Sequence, residues 1–437
     1  MSESSQHSHD AAGHGSHDSA GQLGYDPFPR QLVDAGRLAL LVGGISIGLL
    51  LLGFLFNSGH AFRSLLFAFN FWLSVSLGCM GFVMISHLTG GGWGAVIRRF
   101  GEAGFMNLPL MLVVFLFLSL GYKYLFPWAH LADFESDKTA IEVMHKRELL
   151  YTPFTFTART LIYFVIWMAF AFSLRAGSLK LDKGPDLVLR RKLRIISAGG
   201  MVLFFVTTTG YAMDYILSRE TCWYSSIIGF IEAIAIGQCG MAFMSINVCW
   251  FAKTRPIKDV LTPQHTNDLG NILLALIILF VYTNFAQFLI QWNGNIPEDV
   301  GYFTYRGLGV VSSGWKVFAA FLLIFGFFGP FFLLLMKGLK RDFKSFSRIA
   351  ALILFMQIMY GLWLYAPSGL HRNNIGPDHK LMDPSGSGVT WTDLVAFVGI
   401  GGLWLSSYLK RLSSKPLLAL NVADQPEIIV HGTPAHA

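Results

Sequence analysis

Glu232 stands in the run Gly-Phe-Ile-Glu-Ala-Ile-Ala-Ile-Gly-Gln-Cys-Gly, an ionisable carboxyl set among apolar and small residues. A carboxyl facing lipid costs several kcal/mol, so such a residue marks function unless a cheaper account exists. Gly229, Ile236 and Cys239 share its helix face, with Gly237 and Gly240 close by, and small residues let helices approach closely. Glu232 is therefore expected to face other helices, about 12–14 Å below an interfacial Trp223 at the helical rise. Two readings stay open for it: a carboxyl hydrogen-bonded for packing, or a proton relay.

Other polar residues inside apolar runs sort by depth into a ladder. His87, Asn247, His265 and Asp268 fall near the face that carries the N-terminus. Gln238, Gln357 and Tyr360 fall near the middle; Tyr211, Asp214, Arg159, Asn284 and Gln287 share the far half with Glu232. His and carboxylates exchange protons, while Tyr and Gln hold waters in line, so the set could conduct protons. Most rungs have a simpler account. Asp268 reads as a first-turn carboxylate favoured by the helix dipole. His265 reads as interfacial, Asp214 as shallow and hydrated, and Arg159 as snorkelling to the surface.

The elements that must hold these residues are membrane-spanning helices. Ten stretches of roughly twenty apolar residues, the length a bilayer core demands, fall near 36–56, 64–86, 107–126, 154–174, 195–215, 224–250, 269–291, 315–336, 346–366 and 389–409. Over 437 residues the chain is 53% hydrophobic and 14% charged, with 39 phenylalanines. The fold class is an all-α polytopic membrane protein. Residues 1–35 read as a disordered His-rich tail, 36–411 as the transmembrane domain, and 412–437 as a second tail.

Charge gives the orientation. Of 33 Lys and Arg, 22 lie on the N-terminal side, including Arg98, Arg99 and the series from Arg175 to Arg194. Both termini are then cytoplasmic by the positive-inside rule. The +7 net charge is largely this asymmetry, and with no basic cluster on a soluble fold it excludes nucleic acid as a partner.

The first 35 residues lack the apolar core of a signal peptide. Their His7, His9, His14 and His17 read as a solvated low-complexity tail rather than a metal site. Cys79, Cys222, Cys239 and Cys249 form no CxxC pair, which argues against an iron–sulfur cluster in the chain. The deep apolar segments offer no facing histidines for a haem. Asp137–Leu150 reads as a surface helix capped by Ser136 or Asp137, and 292–314 as an aromatic segment suited to an interface or a docked partner.

Four strings, in order, carry a resemblance. The first is His87-Leu-Thr-Gly-Gly-Gly-Trp-Gly with Ile97-Arg-Arg and Glu102-Ala. The second is Lys146-Arg-Glu-Leu-Leu-Tyr-Thr-Pro-Phe with Arg159 and Ile162-Tyr-Phe-Val-Ile-Trp. The third is Asp214 ahead of Trp223-Tyr-Ser-Ser-Ile-Ile-Gly. The fourth is His265-Thr-Asn-Asp-Leu-Gly-Asn, then Asn284-Phe-Ala-Gln-Phe-Leu-Ile-Gln-Trp and Gly294-Asn-Ile-Pro-Glu. Over residues 36–411 the chain resembles the ActF family, NrfD-like membrane subunits of bacterial alternative complex III.

The resemblance implies two four-helix bundles, helices 2–5 and 6–9, flanked by two peripheral helices. It implies a place in a respiratory or photosynthetic complex that oxidises menaquinol or another quinol. Iron–sulfur clusters and c-type haems would then reside in partner subunits, beside an ActC-like membrane subunit usually assigned the quinol site. This chain would hold no cofactor or metal, serve structure and proton conduction, and match the family's polar positions at His87, Asp214, His265 and Asp268. It departs from the family at Asn271, where relatives often have Lys, at Tyr215 in place of Trp, and at Tyr360, where relatives often carry an acid. The loss of that acid points the proton path to helices 5, 6 and 7.

Two other functions compete with a proton-conducting subunit. A quinol site within the chain needs a proton acceptor near each hydroxyl and a slot for the ring; the aromatics are present, but spacing reveals no His–carboxylate pair. A secondary transporter should show matching interruptions in two halves. Only Pro330 falls deep within a helix, while Pro109 and Pro153 sit near helix ends.

Overall fold

A computed structural model describes residues 26–129, 149–184, 186–220, 223–306, 314–367 and 388–419. Those residues contain no β-strand. The His-rich tail up to residue 25, most of the expected Asp137–Leu150 helix, and residues 420–437 lie outside them.

Among the described residues, ten helices are long and apolar enough to cross a membrane: α1 Arg30–Phe56, α2 Ser58–Thr89, α3 Gly92–Leu125, α4 Pro153–Leu181, α5 Leu187–Arg219, α6 Ile228–Lys253, α7 Pro263–Gly294, α8 Gly314–Leu335, α9 Phe343–Tyr365 and α10 Trp391–Ser413. Most run past the apolar stretch by a turn or more. Hydropathy detects the part that meets lipid, whereas helix ends continue until a cap or turn stops them. Residues 30–35, expected in the disordered tail, are thus the first turns of α1.

Local chemistry sets several starts. Thr152-Pro153 opens α4 and Thr262-Pro263 opens α7: each threonine accepts a hydrogen bond from the backbone three residues on, and each proline occupies the first turn. Asp186 and Asp342 cap α5 and α9 in the same way, and Thr390 with Asp393 forms a capping box at α10.

The largest departure from sequence concerns α3. Its expected start was residue 107, with Arg98 and Arg99 counted as loop charges. Instead a helix runs over Gly92–Phe105, turns at Met106–Asn107, and resumes over Leu108–Leu118 with Pro109 in its first turn. Arg99 and Glu102 are buried in it, three residues apart and ion-paired at 2.6 Å. Pairing removes the cost that makes such a stretch read as a loop.

α2 and α6 form the centre. The most apolar stretch of α2 is entirely buried, and 89% of that of α6. They run parallel and cross where Gly78 meets Gly240. A Cβ on Gly78 would lie 2.1 Å from the Ile236 carbonyl oxygen, so only glycine allows this backbone contact. α5 and α9 pack against both central helices, α4 covers α5, α7 covers α6, and α8 leans on α7 and α9. α10 runs parallel to α2, joined by Trp72 to Phe397 and by Trp404 to Ser76. α1 lies antiparallel on α10: Gly36 faces Leu409, Gly43 faces Gly402, and Gly53 faces Thr392. Both ends of the transmembrane unit therefore reach the same face.

α8 is the least embedded helix and is irregular. Leu322–Phe328 winds as a π-helix directly before Gly329-Pro330. Pro330 has no N–H to give and its ring crowds the carbonyl four residues earlier; the wider winding accommodates both.

Candidate functional site

Glu232 is 2% exposed, and its neighbours are neutral. Its side chain lies close to the Asn70 amide of α2, which favours the carboxylate. The Asn70 Oδ1 in turn accepts the Tyr211 hydroxyl of α5. Tyr211 stacks on Tyr215 at 4.5 Å between ring centres and meets the Trp167 ring edge-on. A carboxyl on α6, an amide on α2 and a phenol on α5 thus line up as one polar chain.

The sequence misjudged how Glu232 reaches its depth. α6 begins at Ile228, and Trp223 is buried rather than interfacial. Trp223 lies flat on Tyr302 at 3.7 Å, and its indole N–H donates to Gln291 Oε1 at 2.9 Å. Gln291 also donates to the Tyr224 carbonyl at 2.8 Å, and Ser225 donates to Gln287 Oε1 at 2.9 Å. Gln291 thereby satisfies the Tyr224 carbonyl in a non-helical segment, and the two glutamines of α7 hold its polar side chains. Glu232 lies level with Asn70, the thirteenth residue of α2, about 18 Å from the start of that helix at the helical rise.

Beyond Glu232 lies a void of about 20 Å³ bounded by Asn70, Ser74, Cys239, Gln357 and Tyr360. A site needs roughly 10–15 Å³ and polar partners to hold one water, and this void meets both conditions. On its far wall Gln357 of α9 donates to Gln238 Oε1 at 2.5 Å, and Gln238 donates to the Leu276 carbonyl at 3.0 Å. Gln238, Gln357 and Tyr360 also form the polar end of a second cavity of about 350 Å³ between α7, α8 and α9. Its remaining walls are apolar, among them Phe280, Phe288 and the π-helical Phe327. Asn284 lines it too, with its amide turned to the Phe280 carbonyl at 2.8 Å.

Among the expected ladder residues, Tyr211, Glu232, Gln238, Gln357 and Tyr360 come together here. Asp214 is not hydrated, and Arg159 holds it while its own side chain stays 26% exposed and reaches back toward the start of α4. Asp214 is 3% exposed and takes a two-point bond from Arg159, at 3.1 Å and 2.8 Å, with a third from Tyr163 at 3.1 Å. Arg159 also donates to the Leu150 carbonyl at 2.6 Å and faces the Tyr151 ring. The pair clamps α4 to α5.

His265 is buried, not interfacial. Its Nδ1 accepts from the Thr262 backbone N–H at 3.1 Å, and its Nε2 lies where a Cβ on Gly92 would sit, 2.4 Å away. It fixes the start of α7 against the start of α3. Asp268 is the sixth residue of α7, past the first turn, and accepts from Gln264 at 2.7 Å. Its dipole role therefore does not hold. His87 stands apart from both, on a cavity at the end of α2.

Three ionic clusters escaped the sequence reading. Arg99 binds Glu102 and Asp182, with Arg175 at 3.9 Å from Glu102. Arg63 lies 3.7 Å from Asp393, which also accepts from Ser64 at 2.6 Å. Arg306 is 1% exposed and binds Glu220 at 2.7 Å and the Tyr302 and Leu364 carbonyls at 3.1 Å. Its guanidinium lies 3.7 Å from the Tyr302 ring centre, and burial pushes that phenol up to about 12. The i,i+3 spacing of Arg99 and Glu102 was a legible signal for the first cluster. Nothing local announces the other two.

At Asn271, where resemblance expected lysine, the Lys340 ammonium donates to the amide oxygen at 2.6 Å. The charge arrives from another segment. Burial, then the nearby Lys337, lowers the pKa of that ammonium.

No protein-family model matches the chain, and no curated protein matches it.

Proposed function

We propose that this chain is an integral membrane subunit of a quinol-oxidising electron-transfer complex of the alternative complex III kind. It carries no redox centre and moves protons by way of Glu232. It sits in a bacterial inner membrane with both termini in the cytoplasm, supported by the excess of Lys and Arg at the face that carries them. The four ordered strings support the complex, and with it the NrfD-like division into helices 2–5 and 6–9. Iron–sulfur, c-type cytochrome and ActC-like membrane subunits are the partners that follow.

The observation that carries the proton role is the chain Tyr211–Asn70–Glu232, ending in a void sized for one water beside Gln357. Glu232 is the member that gains and loses a proton at accessible cost; Asn70, Gln357 and Tyr211 orient it and the water. Purification from native membranes in mild detergent tests membership: iron–sulfur and c-type haem subunits should co-purify. A lone, colourless homo-oligomer would overturn it in favour of a transporter. Proton release per electron in vesicles, for Glu232→Gln against wild type, tests the relay.

A second reading, a quinol site within this chain, is favoured by the cavity between α7, α8 and α9. Its size falls within the range of ligand pockets, its walls suit an isoprenoid tail, and Gln238, Gln357 and Tyr360 suit ring oxygens.

A further inference from the structure

At the N-terminal face a second polar feature stands apart from Glu232. The end of α2, the start of α3, the end of α4 and the start of α5 enclose a cavity of about 130 Å³. Its walls include Ser86, His87, Arg98, Ser178, Asp182 and Arg190.

The charges there do not balance. Arg99 is spent on Glu102 and Asp182, and Arg175 lies against Glu102. Arg98 feels Glu102 and Asp182 but also Arg99 and Arg190. Among the described residues, Arg98, Arg99 and Arg175 against Glu102 and Asp182 leave one positive charge. The Arg98 Nε and His87 Nε2 are buried without a hydrogen-bond partner among the described residues. A buried, unmet donor is costly, so a site of this kind is completed by something that accepts.

We propose that this cavity binds a phosphate-type anion, held by Arg98 with His87, Ser86 and Ser178 around it. A guanidinium matches phosphate oxygens in geometry as well as charge, and a phosphodiester carries the single negative charge that the cluster lacks. The depth fits a phospholipid headgroup: the cavity opens where transmembrane helices end, beside the exposed Arg191, Lys192 and Arg194. Basic pockets between helices at this level are where anionic lipid headgroups bind.

The test uses the full-length protein in neutral detergent and follows thermal unfolding during titration with phosphatidylglycerol, phosphatidylcholine or inorganic phosphate. Phosphatidylglycerol should stabilise the protein and phosphatidylcholine should not. Arg98→Gln should weaken the apparent affinity about fivefold or more, the size of one basic contact to an anionic lipid. Lys344→Gln, exposed at the start of α9 and outside the cavity wall, should leave it unchanged. Stabilisation by inorganic phosphate that Arg98→Gln also weakens would support the site with a soluble anion as its source. Equal effects of the two lipids, or equal affinity in wild type and Arg98→Gln, would overturn the proposal. Native mass spectrometry of the wild type needs no variant: retained phosphatidylglycerol supports the site, and release of phosphatidylglycerol and phosphatidylcholine alike overturns it.

Discussion

The Tyr211 hydroxyl donates to the Asn70 Oδ1 and so ties the fifth transmembrane helix to the second at the level of Glu232. Asn70 has one oxygen and one amino group, and the two face different partners. It is therefore a connector, and replacing it should separate Tyr211 from Glu232 without removing either. Asn70→Leu should slow proton-coupled turnover in reconstituted vesicles. An Asn70→Leu complex with the wild-type proton-to-electron ratio would show that the connection carries nothing.

Glu232→Gln keeps the shape and the polar contact with Asn70 but cannot release a proton. Assembly should survive, while proton-coupled turnover falls by about 100-fold, the lower end of what a positioned acid–base group contributes. Subunit content by mass spectrometry separates the two effects: loss of assembly would assign Glu232 to packing.

Arg159→Ala leaves the Asp214 carboxylate buried without its cation. That should destabilise the protein by about 3–5 kcal/mol, seen as a lower thermal unfolding midpoint in detergent. Arg159→Met combined with Asp214→Leu should recover much of the loss, because the exchange of a buried pair for apolar groups is often neutral. An additive double variant would show that the two residues are not coupled.

Gly78→Ala should be among the most damaging small substitutions in the chain. Its methyl meets backbone of α6, which cannot swing aside, so the cost should exceed the roughly 1–3 kcal/mol typical of overpacking. Gly44, with open space where its Cβ would go, provides the contrast. Gly44→Ala should be neutral or stabilise by up to about 1 kcal/mol. Similar melting of the two variants would contradict the α2–α6 contact.

Asp342 caps α9 through the Ser345 backbone N–H at 2.9 Å, and the Ser345 hydrogen bonds hold its carboxyl below the usual value. A depressed carboxyl pKa stabilises the fold above the unfolded-state value, and the benefit fades as pH falls through the folded-state value. Asp342→Ala should therefore unfold at a lower temperature than wild type near neutral pH, with the gap closing in acid below about pH 3.8. A gap independent of pH would mean that the charged cap contributes nothing.

The spans were legible because hydropathy over twenty residues is a local property. Glu232 was legible for the same reason: one carboxyl in an apolar run needs no partner to be noticed. Asn70 was not, since its neighbours Phe69 and Phe71 give no hint that Tyr211 and Glu232 lie opposite. Arg99 and Glu102 disguised the first half of α3 because burial of their charges depends on Asp182 and Arg175, some eighty residues away. Trp223 misled in the other direction. An aromatic at an apparent boundary reads as interfacial, yet Tyr302 and Gln291 take it into the interior. In each case the deciding partner comes from a remote helix, where periodicity carries no information.

The π-helical stretch of α8 makes helical phase a variable of this fold. Each residue of an α-helix advances the azimuth by about 100°. Winding Leu322–Phe328 as α with no residue removed would rotate Gly329–Leu335 by about that angle or more, because each wide turn absorbs one extra residue. Pro330 and Leu334, now turned inward, would swing toward lipid, and the wall that Phe327 presents to α9 would be re-formed. The shape of that wall is thus written in the count of residues along α8 as much as in their kinds.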